Sequence, residues 1–298
     1  MLFRSKPVRI IVPFAAAGGS DIMARSLAQA LTNATGQQFI VENRPGANAL
    51  IGTEAVAKAA GDGYTLLLTT NIFTINPWLY SNVPFNVERD FAPVTLAGST
   101  PNLLAIHPSI PARSLKELIA LAKAQPGQLT IAAAGIGTPS HLAAELLKQS
   151  AKIDLLVVQY KGTGSTLNDL VGGQVAMSFG TLAGLAPFVK SGRVRALAIS
   201  GPKRAPTMPE IPTAAETLPG FDLLTWYGVF APVGTPRDIV MRLNAEIVKI
   251  LQRDDVKQRL AADGAEPVAN TPAQFAEYIK TEIARWAPVV KASGAQPE

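Results

Sequence analysis

Chemistry first becomes visible in this chain at Val12–Arg25, VPFAAAGGSDIMAR. An apolar run stops at Pro13 and Phe14, passes three alanines and two glycines, and meets Ser20 and Asp21 where a helical pattern starts. Glycines such as Gly18 and Gly19 let main chain approach a ligand closely. The unpaired amides at a helix start favour anions. No cation lies between Arg9 and Arg25, so an anion here would rest on main chain. Ser20 or Asp21 can cap the helix. Asp21 and Arg25 also stand one helical turn apart, acid first, which fits a plain ion pair.

A second stretch, AAAGIGTPSHLAAE from Ala132 to Glu145, repeats the sequence of strand, glycine-rich turn, small hydroxyls and helix. Pro139 suits a first helical position. Thr138, Ser140 and the adjacent amides fit a second anionic end. His141 falls in the first turn, as a packed ring or a ligand contact. A third turn, Gly162 to Ser165 in YKGTGSTLNDL, imitates the dinucleotide fingerprint, but Leu167 stands at its third glycine. The near match from Gly135 and Gly137 has Ser140 there, and its candidate acid, Asp154, precedes a strand instead of ending one. Nicotinamide binding is therefore set aside, and neither a cofactor nor a metal is expected. There is no G-x-S-x-G elbow, H-E-x-x-H or Walker A motif. A triad assembled in space would leave no such motif. A small-acid enzyme using His141 or His107 as base thus stays open beside a binding protein.

These loops need elements to hold them, and the pattern supplies them twice. VRIIVPF, QQFIVEN and YTLLLTT read as strands separated by the helices DIMARSLAQALTNATG and ALIGTEAVAKAA. After a linker-like region around AGSTPNLLAIHP, the rhythm restarts. SLKELIALAKAQPG is a helix with Ser114 and Glu117 spaced as a capping box. LTIAAAG, LLVVQY, QVAMSFG and VRALAIS are strands with helices between them. A Pro-rich segment leads to LLTWYGVFAP, an apolar crossing, and the tail is helical. Strand–helix alternation predicts parallel sheets with right-handed crossovers. Two such units with two crossings predict an α/β, two-lobed clamshell of the type II-like periplasmic-binding-protein kind, each lobe a mostly parallel sheet flanked by helices. Lobe 1 is expected over 1–101 plus 224–298 and lobe 2 over 102–223, with ligand in the cleft between them. The alternative is one long doubly wound domain.

Composition narrows the function. At 298 residues, 48% apolar and 16% charged, the chain can bury a sizeable core. No apolar run reaches the ~18 residues of a membrane span. The stub MLFRSKP lacks the apolar core of a signal peptide. The formal charge of +5 is scattered among acids, with no basic stripe carrying aromatic stackers, so nucleic acid is not the expected partner. Cysteine is absent, which excludes disulfides and thiolate chemistry.

Taken in order, several motifs resemble one family. They are AGGSDIMAR, VENRPGANALIGTEAVAKAAGDGYTLL, NPWLY with DFAPVT, GTPSHLAAELL, YKGTGSTLNDLVGGQV, KSGRVRALA, PEIPTAAE, WYGVFAPVGTP and ADGAEPV. Over nearly its whole length the chain resembles the Bordetella uptake gene (Bug) receptors, the extracytoplasmic solute-binding subunits of tripartite tricarboxylate transporters. The resemblance implies a periplasmic, monomeric receptor, made with an export signal, that passes a small organic acid to membrane permease subunits. That acid would be a dicarboxylate, an amino acid or an aromatic carboxylate. A ligand sensor for a signalling partner would share the same pocket. By position, the resemblance implicates Phe14, Ala16, Gly18, Gly19, Ser20 and Asp21 in one lobe. In the other it implicates Gly137, Thr138, Ser140, His141 and Asp169, with Asn71 added on position alone. One departure stands out: Ala176 follows GGQV, where the family commonly has Asp.

Overall fold

The computed structural model describes residues 6–16, 18–262 and 264–295. It divides into two compact units. One takes in the chain up to Ser99 together with Trp226–Pro288. The other is Thr100–Thr225 with the chain from Val289.

The first unit opens with β1 (Val8–Val12), α1 (Gly19–Thr35), β2 (Phe39–Asn43), α2 (Leu50–Ala57), β3 (Thr65–Thr69) and α3 (Ile72–Leu79). Strand β4 (Phe91–Ile106) then carries the chain into the second unit. There follow α4 (Leu115–Ala124), β5 (Thr130–Ala133), α5 (Pro139–Ala151), β6 (Leu156–Gln159), α6 (Thr163–Val171), β7 (Met177–Thr181), α7 (Leu182–Lys190) and β8 (Arg195–Ile199). Strand β9 (Leu224–Pro232) leads back to α8 (Arg237–Leu251), α9 (Asp254–Ala262), β10 (Glu266–Pro267) and α10 (Pro272–Ser293).

Both units use one topology. In the first, β2, β1 and β3 are parallel, with β1 in the middle and β9 antiparallel to β3. In the second, β6, β5 and β7 are parallel, with β5 in the middle and β4 antiparallel to β7. The successive βα strands are thus parallel, and the two crossing strands oppose them. Period-two alternation splits the first unit's core between two faces of its sheet. Ile10, Val12, Leu66, Leu68, Tyr227 and Val229 pack with α1 and α8. Ile11, Leu67, Trp226 and Phe230 pack with Phe73 of α3 and Phe275 of α10. The second unit has its own core around Leu103, Ala132, Leu170, Val175 and Leu185.

One expectation changes. All of the AGSTPNLLAIHP linker but its final His107 and Pro108 belongs to the 16-residue β4. Its polar residues find buried partners: Asn102 N donates to Ser200 Oγ at 2.8 Å, and Asn102 Nδ2 to Thr225 Oγ1 at 3.1 Å. The two units meet at Ser99/Thr100 and Thr225/Trp226, inside β4 and β9. The end of α10 groups with the second unit from Val289 on, just after Pro288, which lies inside the continuous helix. There Gln149 Nε2 of α5 donates to Val289 O at 3.4 Å.

Candidate functional site

In the first unit the chain leaves β1 toward β2 and returns past β1 to β3. Adjacent connections therefore diverge at the carboxyl ends of β1 and β3, which is where open α/β sheets hold ligands. The loop after β1 reaches α1, whose N-cap is Gly18, with no side-chain cap. Neither Ser20 nor Asp21 caps the helix, contrary to expectation, because both lie inside its first turn. The first helical bond runs from Ile22 N to Gly18 O at 3.0 Å. Among the described residues, the amides of Gly19 and Ser20 have no acceptor, as helix geometry requires.

Asp21 is buried, 4% exposed, and its Oδ2 accepts from Arg25 Nε at 2.9 Å. Arg25 Nη2 donates to Asn43 Oδ1 at 3.1 Å, and Asn43 Nδ2 donates to the Phe14 carbonyl at 3.1 Å. One chain of contacts thus runs from the first turn of α1, through the end of β2, to the loop itself. Phe14 packs against the core beneath, while Ala16 is exposed. A Cβ on Gly19 would stand 2.7 Å from the Tyr227 hydroxyl, so β9 places a phenol against the helix start. Sequence reasoning missed both Asn43 and Tyr227. Asn71, after β3, is fully buried. Its Oδ1 accepts from Trp226 N at 3.1 Å, and its Nδ2 reaches Glu282 Oε2 at 3.5 Å. The indole nitrogens of Trp226 and Trp286 donate to the same Glu282 oxygen, each at 3.0 Å. Asn71 therefore holds the start of β9's return into this unit.

The second unit repeats the crevice at β5 and β7. After β5, Gly135 and Gly137 take φ of 141° and 74°, a region that side chains resist. Thr138 is the N-cap of α5 and Pro139 its first residue. The hydroxyls form a closed set. Thr138 Oγ1 donates to Gly135 O at 2.7 Å, so in its 3.0 Å contact with Ser140 the serine must be the donor. Ser140 Oγ in turn accepts from Ala134 N at 2.9 Å. His141 is buried, and its Nδ1 accepts from Gly137 N at 3.1 Å. Burial, aided by the Lys148 charge, holds its pKa down at about 4. The ring is therefore neutral at pH 7, its proton on Nε2 and its one lone pair taken. That arrangement builds the turn and leaves no base for acid–base catalysis. Among the described residues, the amide of Ser140 has no acceptor.

The register Ala132↔Ser178 sets the end of β7 beside the end of β5. Thr181 there caps α7, accepting from Gly184 N at 3.3 Å; this fourth loop was not anticipated. Asp169 lies on α6 and accepts from the Tyr160 hydroxyl at 2.6 Å, which raises the tyrosine pKa to about 12. His107 is remote from these loops. Its amide bonds Ala176 O at the opposite end of β7, and its ring meets Ser109 Oγ at 2.7 Å. Ala176 lies at that same remote end, so its departure from the family pattern does not touch the crevice. Among the described residues, no group of three or more His, Cys, Asp or Glu side chains is placed to hold a metal ion.

A family model described as the tripartite tricarboxylate transporter family receptor, TctC, matches residues 23–295. The chain belongs to that family. A UPF0065 protein of Pseudomonas sp. strain P51, from the tcbD-tcbE intergenic region, is 40% identical over 95% of this chain and 85% of its own length. BugT of Bordetella pertussis is 39% identical over 99% of this chain and 91% of its own. Among solved structures, R. palustris Rpa4515 with adipate superposes with a TM-score of 0.89 at 34% identity, covering 99% of each chain. MatC from Rhodopseudomonas palustris, with bound malate, gives 0.84 at 34% identity, over 97% of this chain and 100% of that one. The periplasmic binding protein BugD gives 0.86 at 34% identity, over 99% and 100%. The fold is thus the α/β fold of periplasmic binding proteins, and the family is one of solute receptors, not enzymes. A His141- or His107-based enzyme is accordingly ruled out. Among the described residues, no helix is long and apolar enough to cross a membrane.

Proposed function

We propose that this receptor captures a small organic carboxylate and delivers it to the membrane permease subunits of a tripartite tricarboxylate-type transporter, acting as a monomer in the periplasm. The observation that carries the reading is a helix start at the switch point of each unit, with the Gly19 and Ser20 amides open in the first and the Ser140 amide in the second. Gly18, Gly19, Ser20 and Asp21 supply the first nest, with Phe14 and Ala16 in the loop beside it. Gly137, Thr138, Ser140 and His141 shape the second. Oriented amides replace the hydration of a carboxylate, each charge-assisted bond contributing about 1.5–3 kcal/mol. Adipate and malate in the related structures support an acid of that size. Asp169 and Asn71 position elements around the crevice. Calorimetry across dicarboxylates, amino acids and aromatic acids tests the reading. Saturable binding of at least one acid is expected, and an empty panel overturns it.

A further inference from the structure

A small recess in the second unit opens beside the Thr181 loop that starts α7. It sits between α6 and α7, against the second half of β7, with a free volume of about 20 Å³. That is the space of one water or one methyl group. Leu170, Phe179 and Leu185 form its floor, all 3% exposed or less. Half-buried Leu167 forms one wall, and the mouth is Thr163 and Thr181.

Polarity decides what fits. A resident water needs two to four polar partners. The two buried hydroxyls have committed their protons elsewhere: Thr166 Oγ1 to Thr163 O at 2.7 Å, and Ser178 Oγ to Ala132 O at 3.0 Å. No charged side chain lines the recess. A carboxylate there would shed its hydration against leucine and phenylalanine with no cation in return. A methyl, a halogen or the edge of a ring would lose nothing and bury apolar surface. The mouth is also well placed. Gly180 and Thr181 follow Ser178, which the register sets beside Ala132, next to the proposed second amide nest.

We propose that this recess is a specificity subsite that takes a small uncharged apolar group of the ligand. It rests on the receptor reading above and narrows its substrate class to carboxylates with an apolar end. A ligand whose far end is a second carboxylate fits it poorly.

Calorimetry on the whole chain with matched pairs tests this. In each pair a terminal methyl replaces a second carboxylate: hexanoate against adipate, and butanoate against succinate. Acetate has nothing to place in the recess and serves as the reference. Hexanoate is expected to bind at least tenfold more tightly than adipate. Leu167→Trp, which fills the recess, should cost hexanoate tenfold or more and leave acetate unchanged. Leu167→Ala, which widens it, should improve binding of a branched or aryl acid relative to hexanoate. Melting temperatures of both variants report folding, and the wild-type ranking stands without them. The proposal is overturned if adipate matches or exceeds hexanoate, or if Leu167→Trp weakens acetate and hexanoate alike. If no acid in the set binds, the receptor reading falls and takes the subsite with it.

Discussion

Asp21, Arg25 and Asn43 tie the loop after β1 to α1 and β2 through one chain of charged and polar contacts. Arg25 is committed within the protein. It neutralises Asp21 and, through Asn43, fixes the Phe14 carbonyl. On the proposed function, these contacts would make Asp21 a brace for the loop and not a selector among ligands. Asp21→Ala is therefore expected to weaken all acids together, by roughly three- to tenfold for about 1 kcal/mol of lost positioning, with their ranking unchanged by calorimetry. A reordered ranking would make Asp21 a selector after all. His141 carries the second residue-scale prediction. It is neutral in the folded state, with a pKa near 4, against an ordinary 6.5 when unfolded. Between those values the unfolded chain binds the extra proton, so stability rises with pH across the window and falls as acid is added. Melting temperature should drop from pH 6.5 toward 4, and His141→Asn should flatten that slope. The Asp21–Arg25 pair was legible in the spacing. Asn43 was not, because it reaches the loop only through the parallel pairing of β1 with β2.

At the level of elements, glycine-rich turns and helix boundaries were readable because their causes are local. Gly36 closes α1 in the left-handed region, with φ of 68°, and Thr138 with Pro139 opens α5. The Ser114 cap holds too, its Oγ accepting from Glu117 N at 3.2 Å, but Glu117 reaches back to Arg113 N instead of Ser114 N. What could not be read depended on distant partners. Pro101 and its polar neighbours resemble a linker until Ser200 and Thr225 are beside them. Helix α3 contains Pro77 and β-branched residues, which argue against a helix, yet Phe73 and Ile75 are buried to 1% and 0% and their packing decides the matter. The approach of β9 to α1 is testable. Gly19→Ala should destabilise the fold by about 1–3 kcal/mol through the clash with Tyr227. Adding Tyr227→Phe should recover part of that loss in denaturant titrations, and strictly additive losses would contradict the contact. Thr138→Ala should cost about 1 kcal/mol as a lost N-cap.

For the whole molecule, two α/β units of like topology, each with its own core, follow from a rhythm that the sequence displays twice. That rhythm led to the right fold class, while the exact crossing points inside β4 and β9 needed three-dimensional contacts. Binding should stabilise the folded chain by mass action, by about 2.7 kcal/mol when the free acid is a hundredfold above its Kd. A thermal-shift series in acid concentration measures this, and a melting temperature that stays flat at saturation would oppose binding to the native state. The proposal at the centre of this reading is that main-chain amides at a helix start hold the carboxylate. An amide-resolved ¹⁵N–¹H titration with the tightest acid found by calorimetry tests it most directly. The account predicts saturable shifts at Gly18–Asp21, at Gly135–Ser140 or at both. Shifts confined to other surfaces would contradict it.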